Sequence, residues 1–248
     1  MDDCSISKFK ASKGFFSMTI TINRLGLLEF YDQKHKWPVE VGSPISAITG
    51  LIGEDLVLGL LHHYLRTTRG GCNHPIVKCR GKGSWLDAWV ITNSECYQTE
   101  VKNWCASAFG GREIKADDSN VLGVSKYNLV RYLTHKDAAN SVWKVLKPMS
   151  RPAEYGHLDL LPLLAFWSPV ALPKVKNASQ LKPFFKTPTE PYQDSIEMAG
   201  VGEHAFRHVW IFSASLYLRQ FKQVRIKLQM PRAVQRLKKL QELVDWPI

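Results

Sequence analysis

Two segments with alternating side chains, residues 85–92 and residues 96–103, constrain the fold more than any other feature of this sequence. Both are rich in aromatic and β-branched residues, which is typical of strands. Asn93 and Ser94 stand between them, and these residue types favour a tight turn. The sequence therefore predicts an antiparallel hairpin with a two-residue loop.

The length of this loop determines which residues of the two strands lie opposite each other. If Asn93 and Ser94 form the loop, Thr92 pairs with Glu95, and Asp87 then lies opposite Glu100. Because side chains alternate between the two faces of a strand, Gln98, Glu100 and Lys102 share one face. The hairpin thus brings two acids and a lysine together, with Trp85 opposite Lys102.

Opposed residues of a hairpin have Cβ atoms about 4.5–5.5 Å apart. Two carboxylates at that distance repel each other, and burying them raises the free energy further. A divalent cation between Asp87 and Glu100 removes this objection, because Mg²⁺ prefers oxygen ligands and often takes one or two carboxylates. Lys102, on the same face, is placed to hold a phosphate oxygen or a water molecule.

An aspartate on one strand followed by Glu-x-Lys on the next resembles the PD-(D/E)xK, or restriction-endonuclease-like, nuclease superfamily. Here Asp87 matches the first acid and Glu100-Val101-Lys102 matches the second part of the motif. The residue before Asp87 is Leu86 and not the proline of the family's name. The resemblance covers roughly residues 43–170.

The resemblance implies an Mg²⁺-dependent nuclease that hydrolyses phosphodiester bonds, with Mn²⁺ able to substitute. Asp87 and Glu100 would bind the metal together with the carbonyl of Val101, and Lys102 would orient the water. Gln98 is a further candidate, since some members carry a glutamine near this position.

Many members also place a glutamate on the helix before the strands, and Glu54 fits that position as a catalytic residue and metal ligand. Asp55 competes with it, but successive helix residues differ by about 100°, so only one of the two should face the site. A different interpretation of Glu54 is an acid near a helix start that the helix dipole stabilises.

The resemblance and the residue pattern together predict the α/β class, with a restriction-endonuclease-like core of helix, three-stranded meander, helix and strand. The expected organisation is an N-terminal strand and arm (1–42), a nuclease core (43–170) and a basic C-terminal α/β extension (171–248). The alternative is that these parts form one continuous domain. The expected helices are 43–66, 126–146 and one that begins at Pro231. The expected strands are 18–22, 76–79, 85–92, 96–103, 163–167, 208–218 and 224–228. Apart from 163–167, the proline-rich stretch 148–191 is expected to be irregular.

Positive charge is concentrated in the second half of the chain. Residues 1–125 carry 14 basic and 13 acidic side chains, whereas residues 126–248 carry 19 basic and 9 acidic ones. Such a surplus favours a polyanionic partner, here the DNA backbone. The expected DNA contacts are Lys174, Lys176, Lys182, Lys186, Arg232, Arg236 and Lys239. In the final helix, Val234, Leu237, Leu240 and Val244 are expected on one face, with Arg232, Arg236, Lys238 and Lys239 exposed.

These observations predict a DNA endonuclease that acts as a homodimer or as a subunit of a multiprotein complex. By analogy with the family, it would belong to restriction, anti-phage defence or transposition machinery. The alternative is a non-catalytic nucleic-acid-binding or structural subunit of a larger nucleoprotein complex. Five cysteines without a dense framework, and no apolar run long enough to span a bilayer, favour a cytoplasmic protein.

Overall fold

The computed structural model describes residues 19–33, 44–69, 86–105, 142–168, 182–190, 193–198, 201 and 206–243. The strands are β1 (Thr19–Asn23), β2 (Ala88–Ile91), β3 (Glu95–Cys105), β4 (Asp159–Ser168), β5 (Phe184–Pro188), β6 (His208–Ser213) and β7 (Arg225–Gln229). The α-helices are α1 (Arg24–Gln33), α2 (Pro44–Thr68), α3 (Gln193–Met198), α4 (Ala214–Gln220) and α5 (Pro231–Leu243), with short 3-10 helices at Val142–Leu146 and Ala153–Tyr155.

The central feature is a mixed five-stranded sheet with the order β2-β3-β4-β6-β5. Strands β3, β4 and β6 run parallel, whereas β2 and β5 lie antiparallel at the two edges. Parallel neighbours need a long crossover connection, and residues 106–158 connect β3 to β4. The α/β class predicted from the sequence is confirmed at this level.

The two faces of the sheet bury different apolar clusters. Val90, Tyr97 and Val101 point toward α2 and α4, where they pack with leucines such as Leu61. Trp89, Ile91 and Cys96 point the other way, and the 3-10 helix Val142–Leu146 covers them with Trp143, Val145 and Leu146. Each fully buried side chain of this size stabilises the fold by roughly 1.5–3 kcal/mol. Apolar packing on both faces of the sheet therefore fixes which side chains of β2 and β3 point to each face.

Strands β1 and β7 form a separate two-stranded antiparallel sheet, called the ribbon below. The ribbon joins residues about two hundred positions apart in the chain, with Ile22 paired to Ile226 and Ile20 paired to Leu228. Its inner face packs against α2 at Gly59, where an added Cβ would lie 3.1 Å from Met230 Cγ and 3.2 Å from the Gln229 carbonyl oxygen. A glycine at this point allows the helix to approach the ribbon closely.

Several predicted elements are confirmed. The long helix before the hairpin, both hairpin strands, the strand around 163–167, the strand near 224–228 and the final helix from Pro231 all occur. Strand β4 is longer than predicted because it lies between β3 and β6 and is bonded on both sides.

One helix was not predicted, and two predictions were wrong. Residues 24–33, expected only as part of the N-terminal arm, form α1, which begins because the Asn23 side-chain oxygen accepts hydrogen bonds from the Leu25 and Gly26 amides at 3.1 and 3.2 Å. The strand predicted over 208–218 ends at Ser213, whose hydroxyl accepts a bond from the Leu216 amide and starts α4. The irregular stretch contains β5, which extends the sheet beside β6.

Other predictions fall outside the described residues, namely the strand 76–79 and most of the helix 126–146. The expected boundary between core and extension, at residue 170, falls between β4 and β5 along the chain. Both of these strands belong to the same five-stranded sheet. Within the described part of the chain, no helix combines the length and apolar character needed to cross a bilayer.

Replacing Gly59 by valine should lower the free energy of unfolding by about 1–3 kcal/mol, because the new side chain meets the Gln229 carbonyl and Met230. Chemical denaturation measures the change. Gly26 lies exposed in α1, where an added Cβ meets only atoms at 3.7 Å or beyond, so Gly26→Val is the matched control and should be close to neutral. Equal stabilities of the two variants would contradict the close approach of α2 and the ribbon.

Candidate active site

The candidate site lies where β3 approaches its carboxyl end. The hairpin has the predicted register: Ala88 lies opposite Thr99, and Trp89 lies opposite Gln98. The amide of Thr92 donates to the carbonyl of Glu95 at 2.9 Å and closes the two-residue loop. One step further along this register, Asp87 comes opposite Glu100.

Asp87 binds directly to the opposite strand. Its Oδ2 accepts a hydrogen bond from the backbone amide of Val101 at 2.7 Å, and its own amide donates to the Thr99 carbonyl at 3.1 Å. These two contacts place the carboxylate of Asp87 beside the Glu-x-Lys segment, between Glu100 and Lys102 along the chain.

Glu100 and Lys102 form a largely buried ion pair. Lys102 Nζ lies 2.6 Å from Glu100 Oε1, and the two side chains are 17% and 8% exposed, respectively. Glu100 and Lys102 are therefore not a solvated pair on the surface of the hairpin. A buried ion pair is weak evidence for a stabilising role, because desolvation of both charges offsets their attraction.

Burial raises the pKa of Glu100 to about 8, although the positive charge of Lys102 and its hydrogen bond lower it. The negative charges of Asp87 and Glu54 raise it further. The loss of hydration therefore raises the pKa of Glu100 more than Lys102 lowers it. Three other predicted site residues, Glu54, Asp87 and Lys102, therefore lie within electrostatic reach of Glu100.

Glu54 and Asp55 differ in burial, because successive residues of a helix such as α2 point in directions about 100° apart. Glu54 is half-buried and its charge reaches Glu100, whereas Asp55 is only 6% exposed. Among the described residues, no three histidine, cysteine, aspartate or glutamate side chains are grouped so that they could hold a metal ion. Among the described residues, Glu54, Asp87 and Glu100 are therefore not grouped as three ligands of one ion.

Gln98 shares the face of Glu100, but its amide group is engaged elsewhere. Its Nε2 donates to the carbonyls of Val145 and of Lys147, the latter at 2.9 Å, and its Oε1 accepts from the Met149 amide at 3.1 Å. Gln98 is fully buried and ties the 3-10 segment to β3. The structure therefore gives this side chain a positioning role.

The predicted DNA-contact residues are scattered. Lys182 and Lys186 are exposed beside or on β5, and Lys239 is exposed on α5. Lys174 and Lys176 lie outside the described residues. Lys238 is exposed, as predicted. Arg232 and Arg236 are half-buried, and Leu237 and Leu240 are 42% and 40% exposed, so for these four residues the predicted faces of α5 were wrong. The reason is that α5 packs on α2 and β1 near Ala233, its one buried residue.

The sequence reasoning missed two residues that build the site indirectly. Trp143 is fully buried against the sheet face that carries Glu100, and Gly59 sets the position of α2, which carries Glu54. The buried tryptophan was visible in the sequence as part of an apolar pattern, but nothing local indicated which face it covers.

Comparison of the chain with protein-family models, curated proteins and solved structures finds no match.

Replacing Glu100 by glutamine should remove a pH dependence of stability. Because the folded protein holds the Glu100 proton up to a pKa of about 8, whereas an unfolded glutamate loses it near its ordinary value of 4.5, the proton stabilises the native state at low pH. This contribution is full below about pH 4.5 and is lost as the pH rises to 8. Denaturation between pH 5 and 8 should show a smaller decline for Glu100→Gln; an unchanged decline would contradict the raised pKa.

The bond between Asp87 and Val101 gives a second test. Asp87→Asn keeps an oxygen that accepts from the Val101 amide and removes a like charge beside Glu100, so above about pH 8, where Glu100 is ionised, the melting temperature of the metal-free protein should rise modestly. Asp87→Ala leaves that amide without its acceptor and should cost about 1–3 kcal/mol. Calorimetry in a chelator compares the two variants. An asparagine variant no more stable than the alanine variant would argue against this bond.

Proposed function

We propose that this protein is a metal-dependent nuclease that hydrolyses phosphodiester bonds of DNA. The observation that carries the proposal is the register of β2 and β3, which puts Asp87 opposite Glu100 and leaves Lys102 on the same face, bonded to Glu100. The residues match the Asp…Glu-x-Lys pattern of the PD-(D/E)xK superfamily. A helix, this hairpin and a strand parallel to β3 are the parts of the expected family core that the described residues include, and they support the proposal.

The location of these residues in the sheet also supports a site. Ligands of open α/β sheets bind near the carboxyl ends of the parallel strands. Glu100 and Lys102 lie toward that end of β3, level with Leu164 and Phe166 of β4. A buried acid with a strongly raised pKa beside a second acid and a lysine is a frequent property of catalytic sites. Retaining such a costly arrangement favours a functional explanation.

The donor set fits Mg²⁺ or Mn²⁺. Hard divalent cations take carboxylate and carbonyl oxygens, and Mg²⁺ commonly uses only one or two carboxylates, with water and phosphate as its other ligands. Asp87 and Glu100 would hold the ion, with the carbonyl of Val101 as a further ligand and Glu54 nearby. When bound, the ion would lower the pKa of a water molecule and stabilise charge on the phosphate.

The protein's own groups would orient the metal ligands and the reacting phosphate. The hydrogen bond from the Val101 amide fixes the carboxylate of Asp87 against β3. Lys102 carries an ammonium group with three donors, so it can bond a phosphate oxygen or the attacking water while it faces Glu100. Gln98 holds the 3-10 segment on the sheet and thereby keeps the apolar cover over this face in place.

A cleavage assay tests the proposal. Wild-type protein incubated with supercoiled plasmid and Mg²⁺ or Mn²⁺ should nick or linearise it, and chelator should abolish the reaction. Glu100→Gln and Lys102→Ala should each reduce the rate by about 100-fold or more, because one removes a ligand and the other a charge at the reacting phosphate. Gel electrophoresis over time gives the rates.

The matched control is Glu95→Gln, the same substitution at the other end of β3. Glu95 bonds to Arg69 at 3.0 Å and to the Tyr97 hydroxyl at 2.7 Å, so its charge serves a contact outside the site. This variant should cut like the wild type. Plasmid left intact by wild-type protein, with a salt-sensitive mobility shift, would refute the nuclease and support a non-catalytic nucleic-acid-binding protein. Equal activity in all variants would refute the assigned residues.

A further inference from the structure

The ribbon presents a polar, positively charged face to solvent. Burial alternates strictly along β7, where Ile226 and Leu228 are buried and the three residues on the other face are exposed. Strand β1 alternates in the same manner, with its isoleucines half-buried. The antiparallel register brings the exposed residues into pairs: Thr19 with Gln229, Thr21 with Lys227, and Asn23 with Arg225.

No carboxylate interrupts the positive charge of this region of the sequence. Residues 206–241 contain nine lysines and arginines and no aspartate or glutamate. The exposed face of the ribbon itself combines Arg225 and Lys227 with threonine and glutamine side chains. Asn23 also lies on this exposed face, but its side-chain oxygen is used to cap α1. A basic face of this kind complements a polyanion.

We propose that the exposed face of the ribbon binds the backbone of double-stranded DNA. The inference rests on the proposed function and extends it, because it names duplex DNA as the substrate and the ribbon as the surface that holds it. Arg225 and Lys227 are alternate residues of one strand, so their side chains leave the same face about 6.8 Å apart, and duplex DNA presents closely spaced phosphates to such a pair. A two-stranded ribbon also fits the dimensions of the major groove, about 12 Å wide.

Helix α2 connects this surface to the candidate active site. Its Gly59 packs against the Gln229 carbonyl of the ribbon, and Glu54 precedes Gly59 by five residues, or about 7.5 Å along the helix axis. The ribbon and Glu54 are thus held by the same helix. The exposed face of the ribbon points away from α2, so a duplex bound there lies on the outer side of this helix.

The ribbon suits a phosphate backbone better than α5, which the sequence favoured. On α5, Arg232 and Arg236 are half-buried, and exposed leucines interrupt the positive charge. On the ribbon, Arg225 and Lys227 are exposed and their exposed neighbours are polar. Polar side chains of this kind are the usual partners of phosphate oxygens.

Binding should be measured by fluorescence anisotropy with a short labelled DNA duplex, in chelator so that no cleavage occurs, and at several salt concentrations. Arg225→Ala and Lys227→Ala should each weaken binding about three- to tenfold and reduce the slope of log K against log salt by about 0.9. The control Arg207→Ala removes one exposed charge next to β6 and should change neither quantity appreciably. Equal effects of all three substitutions would overturn the proposal.

A charge reversal on β1 tests the pairing itself. Thr21→Glu places a carboxylate on the exposed face directly opposite Lys227, so it should weaken duplex binding at least as much as loss of that lysine. Thr21→Gln has nearly the same shape and no charge, and it should bind like the wild type. Circular dichroism should show both variants folded, since Thr21 is exposed. Equal binding of the two variants would overturn the ribbon as the contact surface.

The same assay separates this inference from the proposed function. Duplex binding that depends on the ribbon, without metal-dependent cleavage, would refute the nuclease and leave the binding surface intact. Cleavage with duplex binding that ignores the ribbon substitutions would refute only the surface. Single-stranded DNA or duplex RNA bound more tightly than duplex DNA, or no binding to any of them, would overturn duplex DNA as the partner.

Discussion

The period-two alternation of the β2–β3 hairpin is the constraint on which the rest of this structure depends. One face of β3 carries Tyr97 and Val101 beneath α2, and the other carries Cys96, Gln98 and Glu100. A slip of one residue would turn Glu100 and Lys102 into the apolar cluster under α2 and move Tyr97 and Val101 to the face covered by the 3-10 helix Val142–Leu146. Because burying charge in such a cluster is strongly unfavourable, the two-residue loop and the core enforce the same register.

That register carries a cost at the site. Glu100 is buried beside Asp87, and the ion pair with Lys102 does not fully compensate for the lost hydration. The tightly packed 3-10 segment, with Trp143 fully buried, and the parallel partner β4 hold the strand where the charges alone would disfavour it. Natural proteins commonly accept such local instability where function requires it, and the surrounding core supplies the compensation.

Local pattern was sufficient to predict the hairpin, its register, the long helix before it and the β-strands near 163–167 and 224–228. Each of these depends on near neighbours in sequence, through alternation, turn residues or helix caps. The pairing of β1 with β7 could not be predicted, because two short strands some two hundred residues apart carry no mutual signal. Gln98 shows the same limit. Alternation assigns it correctly to the face of Glu100, but only the path of residues 145–149 shows that its amide is used there.

Long-range contacts link the hairpin and the distant ribbon through one helix. Helix α2 runs beneath the central sheet with its leucines in the core, and its carboxyl end is held because Arg69 bonds to Glu95 and stacks over Phe184 and Trp210. The close contact at Gly59 then sets the ribbon against the same helix. Because α2 is anchored at its end and packs on both sheets, it fixes the position of the ribbon relative to the central sheet. Substrate held on the proposed binding surface would therefore keep a constant relation to Asp87 and Glu100, which is what hydrolysis at a defined phosphate requires.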